Sequence, residues 1–202
     1  CVELLKEADI VVTNPPFSLF RDYVALLMQY NKQFAIIGNQ NAITYREIFP
    51  LIKSNKIWLG YNNGHYWFMV PDSYEEKKTD FKIDESGQKW RRMGNICWFT
   101  NLDIEKRHED MTLFRTYSPD IYPKYDNYDA IEVSKTADIP CDYDGYMGVP
   151  ITFMQYYNPE QFEIAGLDDH RVEWVGHGPR LNGKVKYRRV IIRRKQVNIN
   201  EN

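Results

Sequence analysis

Apolar and polar positions divide the chain into an orderly first half and a more broken second half. Ile10-Val11-Val12 is a short β-branched run, and its unbroken apolarity predicts a strand buried on both faces. Asn14-Pro15-Pro16 ends that strand, because two prolines lack the N–H groups a central ladder needs. Phe20, Tyr23, Val24 and Leu27 then recur at helical spacing, with Ser18 placed to cap the helix. Phe34-Ala35-Ile36-Ile37 predicts a second buried strand closing at Gly38-Asn39. Thr44 and Glu47 have capping-box spacing and predict a short helix that Pro50 ends or kinks. Strand, helix, strand and helix in close succession predict the crossover units of a parallel sheet.

After Lys56 the pattern changes. Ile57-Trp58-Leu59 and residues 66–70 flank GYNNG (60–64), which predicts a hairpin. Residues 72–90 are dense in charge and poor in periodicity, so a mobile or solvated loop is expected there, followed by a strand at Ile96-Cys97-Trp98-Phe99. From residue 102 onward, short strand signals alternate with Tyr, Asp, Pro and Gly clusters. The Tyr-rich stretch 117–128 reads as an ordered loop over the core, the alternative being a base-stacking platform. Asn182-Gly183 between apolar-containing runs predicts a two-residue hairpin. The expected organisation is an α/β half over residues 1–101 and a mostly β, loop-rich lobe over 102–202.

Composition narrows the function classes. Hydrophobic residues make up 43% of the 202 positions and aromatics 15%, which fits a packed core and not a disordered chain. Lys and Arg (26) nearly balance Asp and Glu (28), so a nucleic-acid surface must be a local patch. Cys1, Cys97 and Cys141 lie far apart with no CxxC pair, which argues against a zinc site or disulfide framework and fits a reducing compartment. No apolar run reaches the ~20 residues a bilayer span needs, and the opening CVELLKEAD lacks the apolar stretch of a signal peptide. A soluble, cytoplasmic protein is expected, without metal or membrane partner.

The tetrapeptide Asn14-Pro15-Pro16-Phe17 follows directly on a strand, and in open α/β sheets ligands sit at the carboxyl ends of strands. Its composition suits methylation of a planar, conjugated NH2 group, whose delocalised lone pair makes it a poor nucleophile. Asn14 offers a side-chain carbonyl acceptor, and Pro15 a backbone carbonyl held in place by its ring. Together they can accept both N–H bonds, while Phe17 offers a flat face for a base drawn out of a duplex. The bland alternative is a strand-to-helix turn with no chemistry.

Asn-Pro-Pro-Phe after DIVVT resembles motif IV of the N6-adenine methyltransferases that use S-adenosylmethionine. FAIIGNQNAITYREIFPLIK (34–53), GNICWFTNLD (94–103), YDGYMGVPITFMQYYNPEQFEIAG (143–166) and NGKVKYRRVIIR (182–193) extend the resemblance to the EcoRI-type adenine-specific methyltransferases. It implies a partial Rossmann-like, class I methyltransferase sheet followed by a target-recognition region. It further implies adenine-N6 methylation of double-stranded DNA at a specific site, with Asn14, Pro15, Pro16 and Phe17 as the catalytic motif and Asn14 also touching the cofactor. The other readings are methylation of RNA adenine or of a protein glutamine amide, and a DNA-binding role without turnover.

Only thirteen residues precede Asn14, and the first glycine is Gly38, so no glycine-rich cofactor loop stands upstream of the motif. GYNNG at 60–64 and GYMGVP at 145–150 are the nearest downstream candidates, and neither is expected to open a helix. An N-terminal segment is therefore expected to be missing, leaving these residues alone inactive, with weak or no affinity for S-adenosylmethionine. Such an incomplete sheet can self-associate through its open strand edge. Residues 184–195 carry seven cations, Lys184, Lys186, Arg188, Arg189, Arg193, Arg194 and Lys195, and read as a DNA-contacting patch or as a charged edge strand. The resemblance favours DNA contact. Asp168-Asp169-His170 reads as a solvated turn rather than a metal site, and His65, His108 and His177 as surface or packing residues. Glu132-Val133-Ser134-Lys135 after Pro119-Asp120 is one residue too long for a nuclease metal signature.

Overall fold

The computed structural model of the chain describes residues 2–168 and 178–195, with the backbone alone at 62–65. It divides into two compact units, Cys1–Ala42 with Trp58–Leu102 and Ile43–Ile57 with Asp103–Asn202. In the first, helix α1 (Val2–Glu7) leads into β1 (Ile10–Thr13), and a 3-10 turn over Phe17–Leu19 precedes α2 (Phe20–Gln29) and β2 (Gln33–Asn39). The long strands β3 (Trp58–Met69) and β5 (Lys89–Thr100) complete the sheet with the short β4 (Phe81–Ile83). The order is β1-β2-β5-β3, with β4 paired to β5. Only β1 and β2 are parallel, joined by α2, while β5 runs antiparallel to β2, β3 and β4.

The strand at Ile10-Val12 forms, but not buried on both faces. Ile10 is 49% and Val12 66% exposed, because β1 pairs only with β2 among the described residues and lies at the edge of the sheet. An apolar run reports the chemistry of a strand, not how many neighbours it has. The helical stripe behaves as expected: Phe20, Val24 and Leu27 are buried with Phe34 and Ile36 of β2 and Phe99 of β5. Full burial of such a side chain contributes about 1.5–3 kcal/mol. Phe20 and Phe99 meet at a centroid distance of 4.9 Å and a tilt of 59°. Ser18 does not cap α2; it lies inside the 3-10 turn, and Leu19 occupies the cap position without a side-chain bond.

GYNNG is not a hairpin. It lies within the continuous β3, whose register against β5 shifts between Leu59 and Asn63 and again between Gly64 and Tyr66. The glycines and asparagines here serve irregularities of a strand and not a reversal. The charged stretch 72–90 is more ordered than expected, since it contains β4 and a knot around Asp84. That carboxylate accepts bonds from the Ser86 hydroxyl (2.6 Å), the Trp90 indole (2.8 Å) and the Ser86 and Gln88 amides (both 3.0 Å). The Ser86 and Trp90 donors hold its carboxyl down at about 2.

In the second unit, α3 (Phe49–Lys53) has Pro50 in its first turn, so the proline opens this helix instead of ending it. Thr44 closes a 3-10 segment and does not start a capping box. The sheet runs β6-β7-β11-β8, from β6 (Ala130–Glu132), β7 (Tyr146–Val149), β8 (Phe162–Leu167) and β11 (Val190–Arg194). Between β8 and β11, β9 (Arg180–Leu181) and β10 (Lys184–Val185) form the expected hairpin, with Asn182 at φ 52° and Gly183 at φ 74°. Strand β11 has neighbours on both edges and buries Val190, Ile191 and Ile192, which overturns the edge-strand reading. Tyr122 and Tyr125 are buried, as a loop covering the core requires. Asp168 is also buried, at 1% exposure, and not in a solvated turn. Its backbone N–H donates to the Arg189 carbonyl (2.8 Å), and a side-chain oxygen accepts from the Tyr128 hydroxyl (3.3 Å). Cys1, Asp169, His170 and His177 lie outside the described residues, as does the His65 side chain.

Candidate functional site

Motif residues Asn14–Phe17 leave the carboxyl end of β1 beside the parallel β2, where an open α/β sheet places its ligands. Pro15 is buried and anchors the turn, while Asn14, Pro16 and Phe17 are exposed, Phe17 at 42%. The Pro16 carbonyl accepts from the Leu19 N–H at 2.9 Å, closing the 3-10 turn into α2. Among the described residues the Asn14 carboxamide has no hydrogen-bond partner, so its oxygen is open to an incoming N–H. A rigid turn with an exposed amide and an exposed ring can hold a planar amine without placing a formal charge beside it.

The neighbouring strand end carries a residue that sequence reasoning missed. Gln40 follows β2 directly and is 8% exposed, and its Nε2 is buried with no hydrogen-bond partner among the described residues. A buried donor left unmade costs about 1–3 kcal/mol, which invites a reason for its presence. Nothing in the pattern around Gln40 marks it, since a polar residue after Gly38-Asn39 reads as loop. Cys97 on β5 is inert by comparison, its thiol pushed up to about 12 by burial.

The seven cations of 184–195 do not form one patch. Arg189 is largely covered, its side chain 11% exposed, and grips the buried Glu132 with Nη2 to Oε1 at 2.6 Å and Nε to Oε2 at 3.1 Å. Burial pushes the Glu132 carboxyl up, but the bonds from Arg189, Tyr125 and Ser134 outweigh it and hold that group below the usual carboxylate range. Arg193 pairs with Glu163 at 2.8 Å, Arg188 donates to Thr44 at 2.7 Å, and Arg194 donates to the Cys141 carbonyl. Lys184, Lys186 and Lys195 are exposed, with no side-chain partner among the described residues. Lys186 lines a cavity of about 570 Å³ with Phe114, Arg115, Tyr122 and Leu181, and Phe114 is itself 81% exposed. Among the described residues no group of three or more His, Cys, Asp or Glu side chains is arranged to hold a metal ion, and no helix is long and apolar enough to cross a membrane.

Residues 1–195 match the model of the family described as adenine-specific methyltransferase EcoRI. The chain belongs to that family. It is 50% identical over 204 residues to the type II methyltransferase M.EcoRI of Escherichia coli, an alignment covering 97% of this chain and 60% of that protein. It is 42% identical over 216 residues to M.MgeORF184P of Mycoplasma genitalium and 41% identical over 217 residues to M.MpnI of Mycoplasma pneumoniae. Those alignments cover 97% and 96% of this chain, and 68% and 67% of the relatives. The chain thus spans about 60% of the length of M.EcoRI and about two thirds of the other two. No solved structure matches it.

Proposed function

We propose that this family member carries the catalytic motif and the target-reading region of a site-specific DNA adenine-N6 methyltransferase. The assignment of residues 1–101 to the first role and 102–202 to the second belongs to the same proposal. The observation that carries it is the open Asn14 carboxamide on a proline-stiffened turn at the carboxyl end of β1, in a chain of this family. An adenine drawn out of the duplex stacks on Phe17, and its N6 amino group donates to Asn14 Oδ1 and to the Pro15 carbonyl. Holding both N–H bonds orients the nitrogen lone pair out of the ring plane, toward an electrophilic methyl group. Positive charge developing on N6 is stabilised by both oxygens, so the interaction strengthens toward the transition state.

The methyl donor implied by the family is S-adenosylmethionine. GYNNG lies inside β3, and GYMGVP leads through β7 into a 3-10 turn at Ile151, so neither glycine segment opens an α-helix as a cofactor loop does. The described residues do not fit that group; weak or no affinity of these residues alone for the donor is part of the proposal. So are double-stranded DNA as the partner, with Lys184, Lys186 and Lys195 on its phosphates, a cytoplasmic location, and self-association through the open edge of β1.

The test is methyl transfer from labelled donor to duplex DNA by the full-length protein and its Asn14→Ala variant. Loss of about 10²-fold or more is expected, and retention of more than a tenth of the wild-type rate refutes the mechanism. Label entering RNA or protein, and not DNA, refutes the substrate.

A further inference from the structure

We infer that Gln40 is a substrate-contacting residue, its carboxamide donating to a ring nitrogen of the adenine whose amino group the Asn14 turn holds; this rests on the function proposed above. Gln40 continues the buried alternation Phe34, Ile36 and Gly38 of β2. A Cβ added at Gly38 would lie 2.5 Å from Phe20 Cε2, so the start of α2, three residues after the motif, presses on the same strand at Gly38. Strands β1 and β2 run parallel with Thr13 opposite Ile36, so Asn14 and Gln40 both lie past the carboxyl ends of neighbouring strands, Gln40 three residues farther along the register. One offers an unpartnered donor that is buried, the other an unpartnered acceptor that is exposed.

Their chemistries complement one face of adenine. Beside its amino group the base presents two ring acceptors, N1 and N7, and no other ring donor. Acceptors at Asn14 and Pro15 satisfy N6, and a donor at Gln40 satisfies one adjoining ring nitrogen. A buried polar group that only the correct substrate pairs discriminates strongly against analogues lacking the partner atom, which gives the orphan amide a use that core packing does not.

The experiment uses full-length protein and its Gln40→Met variant, which keeps the side-chain volume without the amide. The probe is a duplex carrying the site mapped from methylated genomic DNA, with adenine, 1-deazaadenine or 7-deazaadenine at the target position opposite an abasic site. Equilibrium affinity is read by fluorescence anisotropy. One deaza analogue is expected to weaken wild-type binding about 10-fold, and Gln40→Met to bind the adenine duplex about 10-fold more weakly while no longer distinguishing that analogue. Its melting temperature is expected to equal or exceed that of wild type, since no protein hydrogen bond is lost. Wild-type affinity in Gln40→Met, unchanged discrimination by it, or a lowered melting temperature with discrimination intact overturns the inference. Asn14→Ala separates the two proposals: it should lose methyl transfer while keeping deaza discrimination, and transfer that survives it refutes the mechanism without touching the Gln40 readout.

Discussion

Arg189 offers the sharpest test of how the second unit is held together. Its guanidinium grips Glu132 through two bonds, at 2.6 and 3.1 Å, and the two side chains are only 11% and 4% exposed. Replacing it in Arg189→Met strands a buried carboxylate that keeps only the Tyr125 and Ser134 hydroxyls. Breaking a buried pair in this way costs about 3–5 kcal/mol, which for a chain of this length lowers the melting temperature by roughly 6–20 °C. The second change Glu132→Gln removes the stranded charge and should return about 2 kcal/mol or more of the loss. The pH dependence has a definite sign. In the wild type the Glu132 carboxyl is held low, so its stabilisation is present above the ordinary carboxylate range and is lost as pH falls through the depressed folded value. In Arg189→Met burial dominates and the carboxyl rises, so the deficit should shrink as pH is lowered toward 5. Urea and thermal unfolding between pH 5 and 8 measure all three effects. An Arg189→Met protein within about 1 kcal/mol of wild type, with a shallower salt dependence of DNA binding, would refute this account and return Arg189 to the phosphate backbone.

Three further expectations follow from geometry. Gly38→Ala puts a methyl group 2.5 Å from Phe20 and 2.8 Å from Phe99, and should cost about 1–3 kcal/mol while displacing the motif turn and lowering methyl transfer; an unfolding curve matching wild type would contradict it. Lys184→Ala with Lys186→Ala should flatten the slope of log affinity against log salt by about 1 to 2, whereas Arg193→Ala, whose cation is already paired with Glu163, should leave it nearly unchanged; equal slopes in both variants would be wrong for this surface. His108 lies 2.8 Å from Asp103 and 3.2 Å from Glu160, whose hydrogen bonds raise its pKa, so its stabilisation is complete below about 6.5 and is lost as pH rises through the folded value. NMR titration should find His108 above the ordinary histidine range and Asp103→Asn should bring it back down.

Much of the first unit, and the β9–β10 turn of the second, were legible because their signals are local. The proline pair ends β1 whatever surrounds it, the Phe20-Val24-Leu27 stripe follows helix geometry alone, and Asn182-Gly183 meets the backbone demand of a two-residue turn. What failed depends on partners distant in sequence. Ile10-Val12 and Val190-Ile192 are similar apolar runs, yet among the described residues the first lies at a sheet edge and the second in a central strand, a difference set by which strands pair with them. The glycines of 60–64 could serve a turn or a strand irregularity, and only Cys97 and Ile96 across the ladder distinguish the two. At the site the motif was readable as a constellation of types. Gln40 was not, because being buried and unpartnered is a property of coordinates. The cations of 184–195 looked equivalent on the page of letters, and separated only when their carboxylates were in view.

The position of β11 also bears on how the chain is built. Strands β7 and β8 share no ladder among the described residues and are joined only through β11. On the ribosome, residues 130–167 therefore wait for 190–194 to emerge before their sheet can close, leaving Met147, Val149, Phe162 and Ile164 without their final cover. Closing this sheet depends on pairings distant in sequence, so its assembly is expected to be slower than that of a sheet closed by neighbouring hairpins.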